Sequence, residues 1–299
     1  MRIHSFLIQG AGSALAARLG SPVTSEPLDA LVLMSLGVEQ STIVNALRQH
    51  QDKIRNCPVY LTETYGILGF DDESNQNVEL MEKGRGSEYG FAGGSGGQGC
   101  LVLGYSKGAV AGHSADFTKN DNIASLMVIA DQSSSWDKVQ SQAPIHFGGI
   151  TKQCWKVHMD EGSDNTSLEP VPYFWVAETS GAMTGIKTFT GEAAEATQSL
   201  LESLPAGWKL TGDIGLFPCF TRGVNQYGKE NIETQAIGTV LKPLPLRVYG
   251  MFAHGELGPC TFSGFTNEAG NKISCEQHSG SSILSIHTAK TDGKDNPEL

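Results

Sequence analysis

The pattern of hydrophobic and polar positions repeats one order of elements along the chain: an apolar strand, a helical segment, a proline and a second apolar strand. The first unit starts with DALVLMSL (29–36) and continues into TIVNALRQHQDKI (42–54), for which Ser41 is the predicted N-cap. It closes with VYLTETYGILGF (59–70) after Pro58. The helical segment carries one face made of Ile43, Leu47, His50 and Ile54.

The same order returns twice. The second unit has IASLMVIAD (123–131), a polar predicted helix near 133–142, then a proline and IHFGGI (145–150). The third has DIGLFPCF (213–220), a helix IETQAIGTVL (232–241) capped by Asn231, a proline and LRVYGMF (246–252). Its helix brings three apolar residues into register: Ile232, Ala236 and Val240. Because proline stops a helix and favours an extended segment, each unit predicts a βαβ crossover with a parallel strand pair.

Alternating segments lie between these units. CLVLGYS (100–106), PYFWVAET (172–179) and SSILSIHTA (281–289) have the period-two pattern of antiparallel strands. A further helix after Thr190 places four residues on one stripe: Ala193, Thr197, Leu200 and Leu204. The sequence therefore predicts an α+β (mixed α/β) fold with mixed parallel and antiparallel sheets flanked by helices. We predict two halves, 1–165 and 166–299, joined near the polar stretch 159–170, with a polar C-terminal tail.

Composition narrows the class of partner. The chain has 299 residues, 39% hydrophobic and 18% charged content, and a formal net charge of −11. Such an acidic chain does not suit binding to nucleic acid or to an anionic lipid surface. No run approaches the ~20 apolar residues of a membrane helix, so we expect a soluble, cytoplasmic protein. Residues 1–20 have two arginines and no acid, which is a weak sign of a targeting peptide, but a first strand and turn is the favoured interpretation.

Most sequence motifs that suggest a specific chemistry lack the structural context or spacing that this chemistry requires. GGSGGQG (93–99) contains a GxGxxG and a GxSxG spacing, but it leads into a strand, whereas both functional motifs open a helix. The six cysteines contain no CxxC pair, which predicts reduced, mostly buried thiols and no metal site. His113, His146 and His254 are the nominees for a haem ligand, but a lone histidine is more often an ordinary side chain, so no cofactor is expected.

The third unit holds the candidate site. Cys219 ends its first strand, and His254 and Glu256 follow its second strand. Because the carboxyl ends of parallel strands lie at the same edge of a sheet, we predict that these residues face each other there. Arg222 provides a fork of donors for a carboxylate, and Glu256 can accept from an ammonium group, which suits a zwitterion. Two alternatives stay open: Arg222 and Glu256 pair with each other as a lock between strand ends, or Cys219 and His254 form a cysteine-dependent hydrolase or transferase.

Residues 214–259, IGLFPCFTRGVNQYGKENIETQAIGTVLKPLPLRVYGMFAHGELGP, resemble the C-terminal half of the FIST domain, named for F-box and intracellular signal transduction proteins. The shared features are Cys-x-x-Arg-Gly at 219–223, a capped helix, a proline-led strand and Gly-Glu-Leu-Gly-Pro at 255–259. The segments 59–70 and 123–150 look like the N-terminal half of that family, so the resemblance covers most of residues 29–288.

The resemblance implies a non-enzymatic sensory or substrate-recruiting module in intracellular signalling or ubiquitin-ligase-linked recognition. A small molecule such as an amino acid, or a client protein, is the implied partner, and a protein-interaction scaffold without a small ligand is the alternative. No F-box, kinase or cyclase segment flanks the domain in this sequence, so we expect its output to pass through a separate signalling or ubiquitin-ligase partner. The implied ligand-binding residues are Cys219, Arg222, Gly223, His254, Gly255, Glu256 and Gly258.

Overall fold

Strands dominate the structure, a computed structural model. It describes residues 2–10, 27–50, 54, 56–82, 96–106, 108–113, 123–132, 145–159, 166–179, 182–211, 213–242, 244, 246–260, 263–265, 273 and 275–290. These residues form helices and three mixed sheets, which confirms the predicted mixed α/β class. None of the helices in this part of the chain is long and apolar enough to cross a membrane.

The strand order divides the described chain into three repeats. Repeat 1 contains β1 (Arg2–Gln9), β2 (Ala30–Leu36), α1 (Gln40–Gln49), β3 (Val59–Glu63), β4 (Gly66–Asp71), β5 (Gln76–Met81) and β6 (Gly99–Ser106). Repeat 2 contains β7 (Ala109–His113), β8 (Ile123–Asp131), β9 (His146–Thr151), β10 (Gln153–Met159), β11 (Thr166–Val171) and β12 (Tyr173–Thr179). Its predicted helix near 133–142 lies outside the described residues.

Repeat 3 adds two short strands to the same plan. It contains β13 (Ala182–Phe189), α2 (Ala193–Glu202), β14 (Trp208–Leu210), β15 (Ile214–Pro218), α3 (Val224–Tyr227), α4 (Ile232–Leu241), β16 (Val248–Met251), β17 (Glu256–Pro259), β18 (Ser263–Phe265), β19 (Cys275–His278) and β20 (Ser282–Lys290). The short strands β14 and β18 pair with β20 and β13, respectively.

The three sheets share one topology. Sheet I has the order β1-β6-β2-β3-β10-β11, sheet II β7-β12-β8-β9-β17-β19, and sheet III β13-β20-β15-β16-β4-β5 with β18 beyond β13. In each sheet the third and fourth strands of this order are parallel, and every other pair is antiparallel. The three predicted parallel pairs are thus confirmed, as are the three predicted antiparallel strands β6, β12 and β20.

Each repeat gives one hairpin to the sheet of another repeat. The β4–β5 hairpin of repeat 1 pairs with β16 in sheet III, β10–β11 of repeat 2 pairs with β3 in sheet I, and β17–β19 of repeat 3 pairs with β9 in sheet II. The exchange is cyclic, so no repeat completes a sheet from its own strands. The predicted boundary between residues 165 and 166 falls beside β11, inside a hairpin, and no sheet divides there. The predicted division into two halves rests on the resemblance to a family and stays a prediction. The sheets themselves are built from three repeats.

The sheets enclose a central core and carry helices on their outer faces. α1 packs on sheet I through Ile43, Ala46 and Leu47, and α2 and α4 pack on sheet III. The second residues of β3, β9 and β16 are aromatic, occupy the same register in their parallel pairs, and all enter the central core: Tyr60, Phe147 and Tyr249. The N-terminal residues form β1, in agreement with the favoured strand interpretation, and the glycine run leads into β6.

Two predicted helix details are wrong. The N-cap of α1 is Glu39, so Ser41 lies within the first turn. In α4 the buried residues are Glu233, Thr234, Ile237 and Leu241, whereas the predicted Ile232, Ala236 and Val240 are half-buried. The physical reason is polar anchoring. The carboxylate of Glu79, on β5, accepts hydrogen bonds from the backbone nitrogens of Asn231 (3.0 Å) and Thr234 (3.1 Å), and this rotates polar side chains of the helix inward.

Candidate functional site

The carboxyl ends of the three parallel pairs meet at one place. The chain leaves β3, β9 and β16 there and crosses into another sheet, and backbone hydrogen bonds join the crossings. The Lys152 nitrogen donates to the Glu63 carbonyl at 3.1 Å, and the His254 nitrogen donates to the Ile150 carbonyl at 2.8 Å. The Phe252 nitrogen donates to the Gly66 carbonyl at 2.9 Å. The cyclic exchange of hairpins therefore builds a junction to which every repeat contributes.

Six side chains gather at this junction, and we call them the junction cluster: Glu63, Tyr65, Glu82, Lys152, Phe220 and His254. Its aromatic part consists of Tyr65, Phe220 and His254. The exposed His254 ring stacks on Phe220 with 5.1 Å between ring centroids and 14° between ring planes. Tyr65 is tilted against both, at 6.0 Å from Phe220 and 5.8 Å from His254. The three rings pack together, with His254 at the surface and Tyr65 and Phe220 buried behind it.

A charged group borders this surface. The Lys152 Nζ lies 5.4 Å from the centroid of the Tyr65 ring, 2.9 Å from a Glu82 oxygen and 3.4 Å from a Glu63 oxygen. The side chains are 22% (Lys152), 37% (Glu82) and 40% (Glu63) exposed. Gln132, from the end of β8, donates to the Tyr65 hydroxyl. The cluster therefore combines three aromatic rings, one ammonium group and two carboxylates. His254 is exposed and the three charged side chains are partly exposed, whereas Tyr65 and Phe220 are buried, at 3% and 8% exposure.

Cys219 and the strand end that follows β16 are neighbours, as predicted. Cys219 forms a parallel bridge with Ala253, and the Phe220 nitrogen donates to the Ala253 carbonyl at 2.8 Å. Cys219 itself is buried, and the Thr221 hydroxyl donates to its sulfur at 3.1 Å. Glu256 is not in a loop at this edge, because the chain has already crossed into sheet II, where Glu256 begins β17.

Glu256 is a fully buried carboxyl behind the strand end. One oxygen, Oε2, accepts from the backbone nitrogen and the hydroxyl of Ser281, at 3.2 and 3.1 Å. Oε1 has no hydrogen-bond partner of acceptable geometry among the described residues, although the adjacent Cys219 thiol favours the carboxylate form. Burial dominates and raises the pKa of Glu256 to about 7.

This raised pKa makes the contribution of Glu256 to stability depend on pH. The folded state holds the proton more tightly than the unfolded state, so the contribution is complete below about pH 4.5 and is lost as pH rises to about 7. The stability of Glu256→Gln relative to the natural protein should therefore increase as pH rises through that window, by on the order of 2 kcal/mol in total. Urea unfolding at several pH values measures the difference.

A matched control has the opposite sign. The exposed Glu169 forms a hydrogen bond with His158, and this bond lowers the pKa of Glu169. Glu169→Gln should therefore lose stability relative to the natural protein as pH rises past the pKa of Glu169. A Glu256→Gln difference that is flat from pH 4.5 to pH 8 would show that the carboxyl is not buried as described.

The guanidinium of Arg222 forms all its hydrogen bonds with other groups of the protein. Its Nε donates to Glu233 Oε1 at 2.6 Å, and the two groups form an ion pair with side-chain exposures of 1% and 2%. Nη1 donates to the carbonyls of Thr190 (3.0 Å) and Gly280 (3.4 Å). Nη2 donates to the Gly191 carbonyl (3.1 Å) and the Tyr227 hydroxyl (2.8 Å). All five N–H groups of the guanidinium thus have acceptors within the chain.

This geometry changes the predicted role of Arg222. The alternative of an Arg222–Glu256 pair is wrong, because the partner of Arg222 is Glu233 on α4. The predicted binding of a ligand carboxylate by Arg222 stays untested, but the guanidinium has no donor left for it in this structure. Arg222 and Glu256 are nevertheless linked through one turn, where Gly280 accepts from Arg222 and Ser281 donates to Glu256.

The three predicted glycines are tightly packed. A Cβ atom at Gly223, Gly255 or Gly258 would lie 2.8 Å from the Phe252 ring, 2.5 Å from Gln277 Nε2 or 2.6 Å from Ile283 Cδ1, respectively. Among the predicted site residues, the junction therefore brings His254 to the surface and buries Cys219, Arg222 and Glu256 behind it. The other two candidate haem ligands lie away from the junction strand ends. His146 begins β9 at the end remote from the junction, and His113 lies in the edge strand β7.

The thiol chemistry of Cys219 is that of a buried side chain. Burial and then the neighbouring charge of Glu256 raise its pKa, whereas a nucleophile needs a lowered one. We expect iodoacetamide at pH 7.5 to label the exposed Cys260 first and Cys219 only after unfolding. Peptide mass mapping with a Cys260→Ser control separates the two thiols. Fast labelling of Cys219 that is lost in His254→Ala would contradict this assignment.

Within the described part of the chain, no cluster of three or more histidine, cysteine, aspartate or glutamate side chains has the arrangement of a metal site. No family model matches the chain, so the resemblance to the FIST domain stays a prediction. No curated protein sequence matches it at a significant level.

Sequence reasoning missed most of the junction cluster, and also Glu79 and Glu233. A signal was present for part of the cluster: Lys152 and His254 each follow the second strand of a predicted βαβ unit, whereas Glu63, which ends β3, lies inside the predicted segment 59–70. The rule that ligands bind at the carboxyl ends of parallel strands selects residues from every repeat when it is extended from the third unit to all three.

Proposed function

We propose that this protein is a non-enzymatic binding module of the FIST type that takes its ligand at the junction cluster. In this proposal it serves as a sensory or recruiting component in cytoplasmic signalling and acts through a separate partner, such as a ubiquitin-ligase component. The observation that carries the proposal is the meeting of the carboxyl ends of the three parallel pairs at one place.

Two physical arguments support a binding site there. In open α/β sheets, ligands bind outside the carboxyl ends of parallel strands, because neighbouring strands diverge there and their loops supply side chains. The junction also has the composition of a binding surface, with aromatic rings next to a small number of charged groups. The exposed His254 ring can gain from contact with an apolar ligand, and the buried Tyr65 and Phe220 rings support it from behind.

The alternative of a cysteine-dependent enzyme has less support. Cys219 is buried and its pKa is raised, and the His254 ring stacks on Phe220. A nucleophilic thiol needs a base in contact and a lowered pKa. The geometry therefore favours binding over covalent chemistry.

A thermal-shift screen against amino acids, amines, nucleotides and haem tests the proposal. A ligand that binds the folded state raises the melting temperature in proportion to RT ln(1 + [L]/Kd). We expect the shift to disappear in His254→Ala, which changes an exposed side chain and leaves the core intact. His158→Ala, near the end of β10 that is farther from the junction, is the matched control and should keep the shift. A shift that survives both His254→Ala and Phe220→Ala would place the site elsewhere, and a screen without any hit would remove the proposal.

A further inference from the structure

We infer that the junction cluster selects an organic cation, in which a primary ammonium group is attached to an apolar or aromatic body. The inference rests on the proposed function, because it names the class of ligand for the same site. It differs from the zwitterion expected from the sequence, for which Arg222 was to hold the carboxylate.

The first argument is that the junction already holds an ammonium group of its own. Lys152 Nζ lies over the Tyr65 ring and contacts two carboxylates, Glu63 and Glu82. An aromatic face and carboxylate oxygens are the groups that recognise an ammonium ion, the former through the electron-rich face of the ring. The side chain of Lys152 thus marks a position where the protein stabilises a positive charge. The side chains of Glu63 and Glu82 are more than a third exposed, although one Glu82 carboxylate oxygen is itself buried.

The second argument is the balance of charge. Two carboxylates surround one ammonium group in the cluster, and this excess is negative. The guanidinium of Arg222 does not compensate, because Glu233 already neutralises it. The chain as a whole carries a net charge of −11, which attracts cations and repels anions over distances of several ångströms. A ligand carboxylate would therefore enter an unfavourable potential.

The third argument concerns the body of the ligand. Phe220 and His254 stack nearly parallel, Tyr65 is tilted against both, and His254 is the exposed ring of the three. A flat or apolar group gains from contact with the outer face of His254, which the buried rings hold in place. The adjacent carboxylates then fix the position of the ammonium end.

Matched probes test the inference without knowledge of the natural ligand. Phenethylamine, tryptamine and cadaverine carry the ammonium group, and 3-phenylpropionate and 2-phenylethanol replace it with a carboxylate or a hydroxyl on a similar body. We expect at least one amine to bind, with at least tenfold higher affinity than the carboxylate and the alcohol by isothermal titration at low salt. Glu82→Gln and Glu63→Gln should each weaken the amine about tenfold, and Glu169→Gln should not.

Lys152 supplies a second, independent readout. If its ammonium group occupies part of the cation site, Lys152→Met should strengthen amine binding several-fold by removing that competitor. Lys152→Gln offers the same test should the methionine variant fold poorly. An amine affinity that does not respond to Glu63→Gln or Glu82→Gln overturns the inference, and so does a weaker affinity in both Lys152 variants.

The outcomes separate the inference from the proposed function. Preference for 3-phenylpropionate, abolished by His254→Ala, overturns the ligand class but keeps the site. If none of the three amines binds while another compound of the broad screen does so through His254, the class is again wrong and the site stands. If no compound of any class binds through the cluster, the proposed function itself fails.

Discussion

Arg222→Met is expected to lower the free energy of unfolding by about 3–5 kcal/mol, the range found when one partner of a buried ion pair is removed. The variant leaves the Glu233 carboxylate buried at 2% exposure without its cation. It also removes the donors of the Thr190, Gly191 and Gly280 carbonyls, but these residues are exposed and water can take the place of the guanidinium there. The buried Glu233 carboxylate therefore accounts for most of the expected loss. Urea unfolding followed by circular dichroism measures the loss.

Arg247→Met is the matched control. Arg247 forms its ion pair with Asp72 at side-chain exposures of 38% and 33%, so water replaces the lost ion pair. Its guanidinium also lies 4.4 Å from the centroid of the Phe70 ring, and methionine keeps part of that packing. We expect a loss of about 1 kcal/mol or less, as for other solvent-exposed pairs. A double-mutant cycle of Arg222→Met with Glu233→Gln should give a coupling well above 1 kcal/mol. A loss below about 1 kcal/mol for Arg222→Met would contradict the buried Arg222–Glu233 ion pair that the structure shows.

The parallel pairs could be predicted because local pattern determines them. An apolar strand, a helical segment, a proline and a second apolar strand leave few alternatives for the chain between residues 29 and 63, and the same holds for the other two units. The exchange of hairpins could not be predicted in this way. Whether β4 pairs with β3 or with β16 depends on contacts between residues 67–68 and 250–251, far apart in sequence, and no local pattern encodes that choice.

In the candidate site, too, local pattern predicts some features and contacts between distant segments decide the others. That Cys219 lies beside the end of β16 follows from the parallel pairing, and the structure agrees. The role of Arg222 does not follow, because it depends on which face of α4 is buried. Apolar spacing favours Ile232, Ala236 and Val240, but hydrogen bonds turn Glu233 toward Arg222 and Ser282 instead. A buried polar network of this kind overrides hydrophobic periodicity, and its partners come from distant segments.

Gly250→Ala is expected to cost more than about 4 kcal/mol or to prevent folding, an effect that few single substitutions reach. Gly250 has φ +155°, and a Cβ atom there would lie 1.8 Å from the Leu216 carbonyl oxygen on the neighbouring strand β15. Gly148 is in the same situation in repeat 2, with φ +139° and 2.0 Å to the Val128 carbonyl oxygen. Both contacts are with backbone, which cannot move aside as a side chain does. Gly191→Ala, where nothing lies within 4 Å, should be nearly neutral.

The strands that lose protection from hydrogen exchange distinguish a purely local clash from an effect that spreads through a sheet shared by two repeats. Gly250 pairs with Leu68 of β4, so the strand that it disturbs also holds the hairpin that repeat 1 gives to sheet III. If Gly250→Ala still folds, hydrogen–deuterium exchange should show lost protection in β4 and β5 as well as in β15 and β16, although β4 is nearly two hundred residues away in sequence. Gly148→Ala should instead expose β17, the strand of repeat 3 that pairs with β9. Loss of protection confined to the mutated strand and its parallel neighbour would contradict the view that each sheet depends on two repeats.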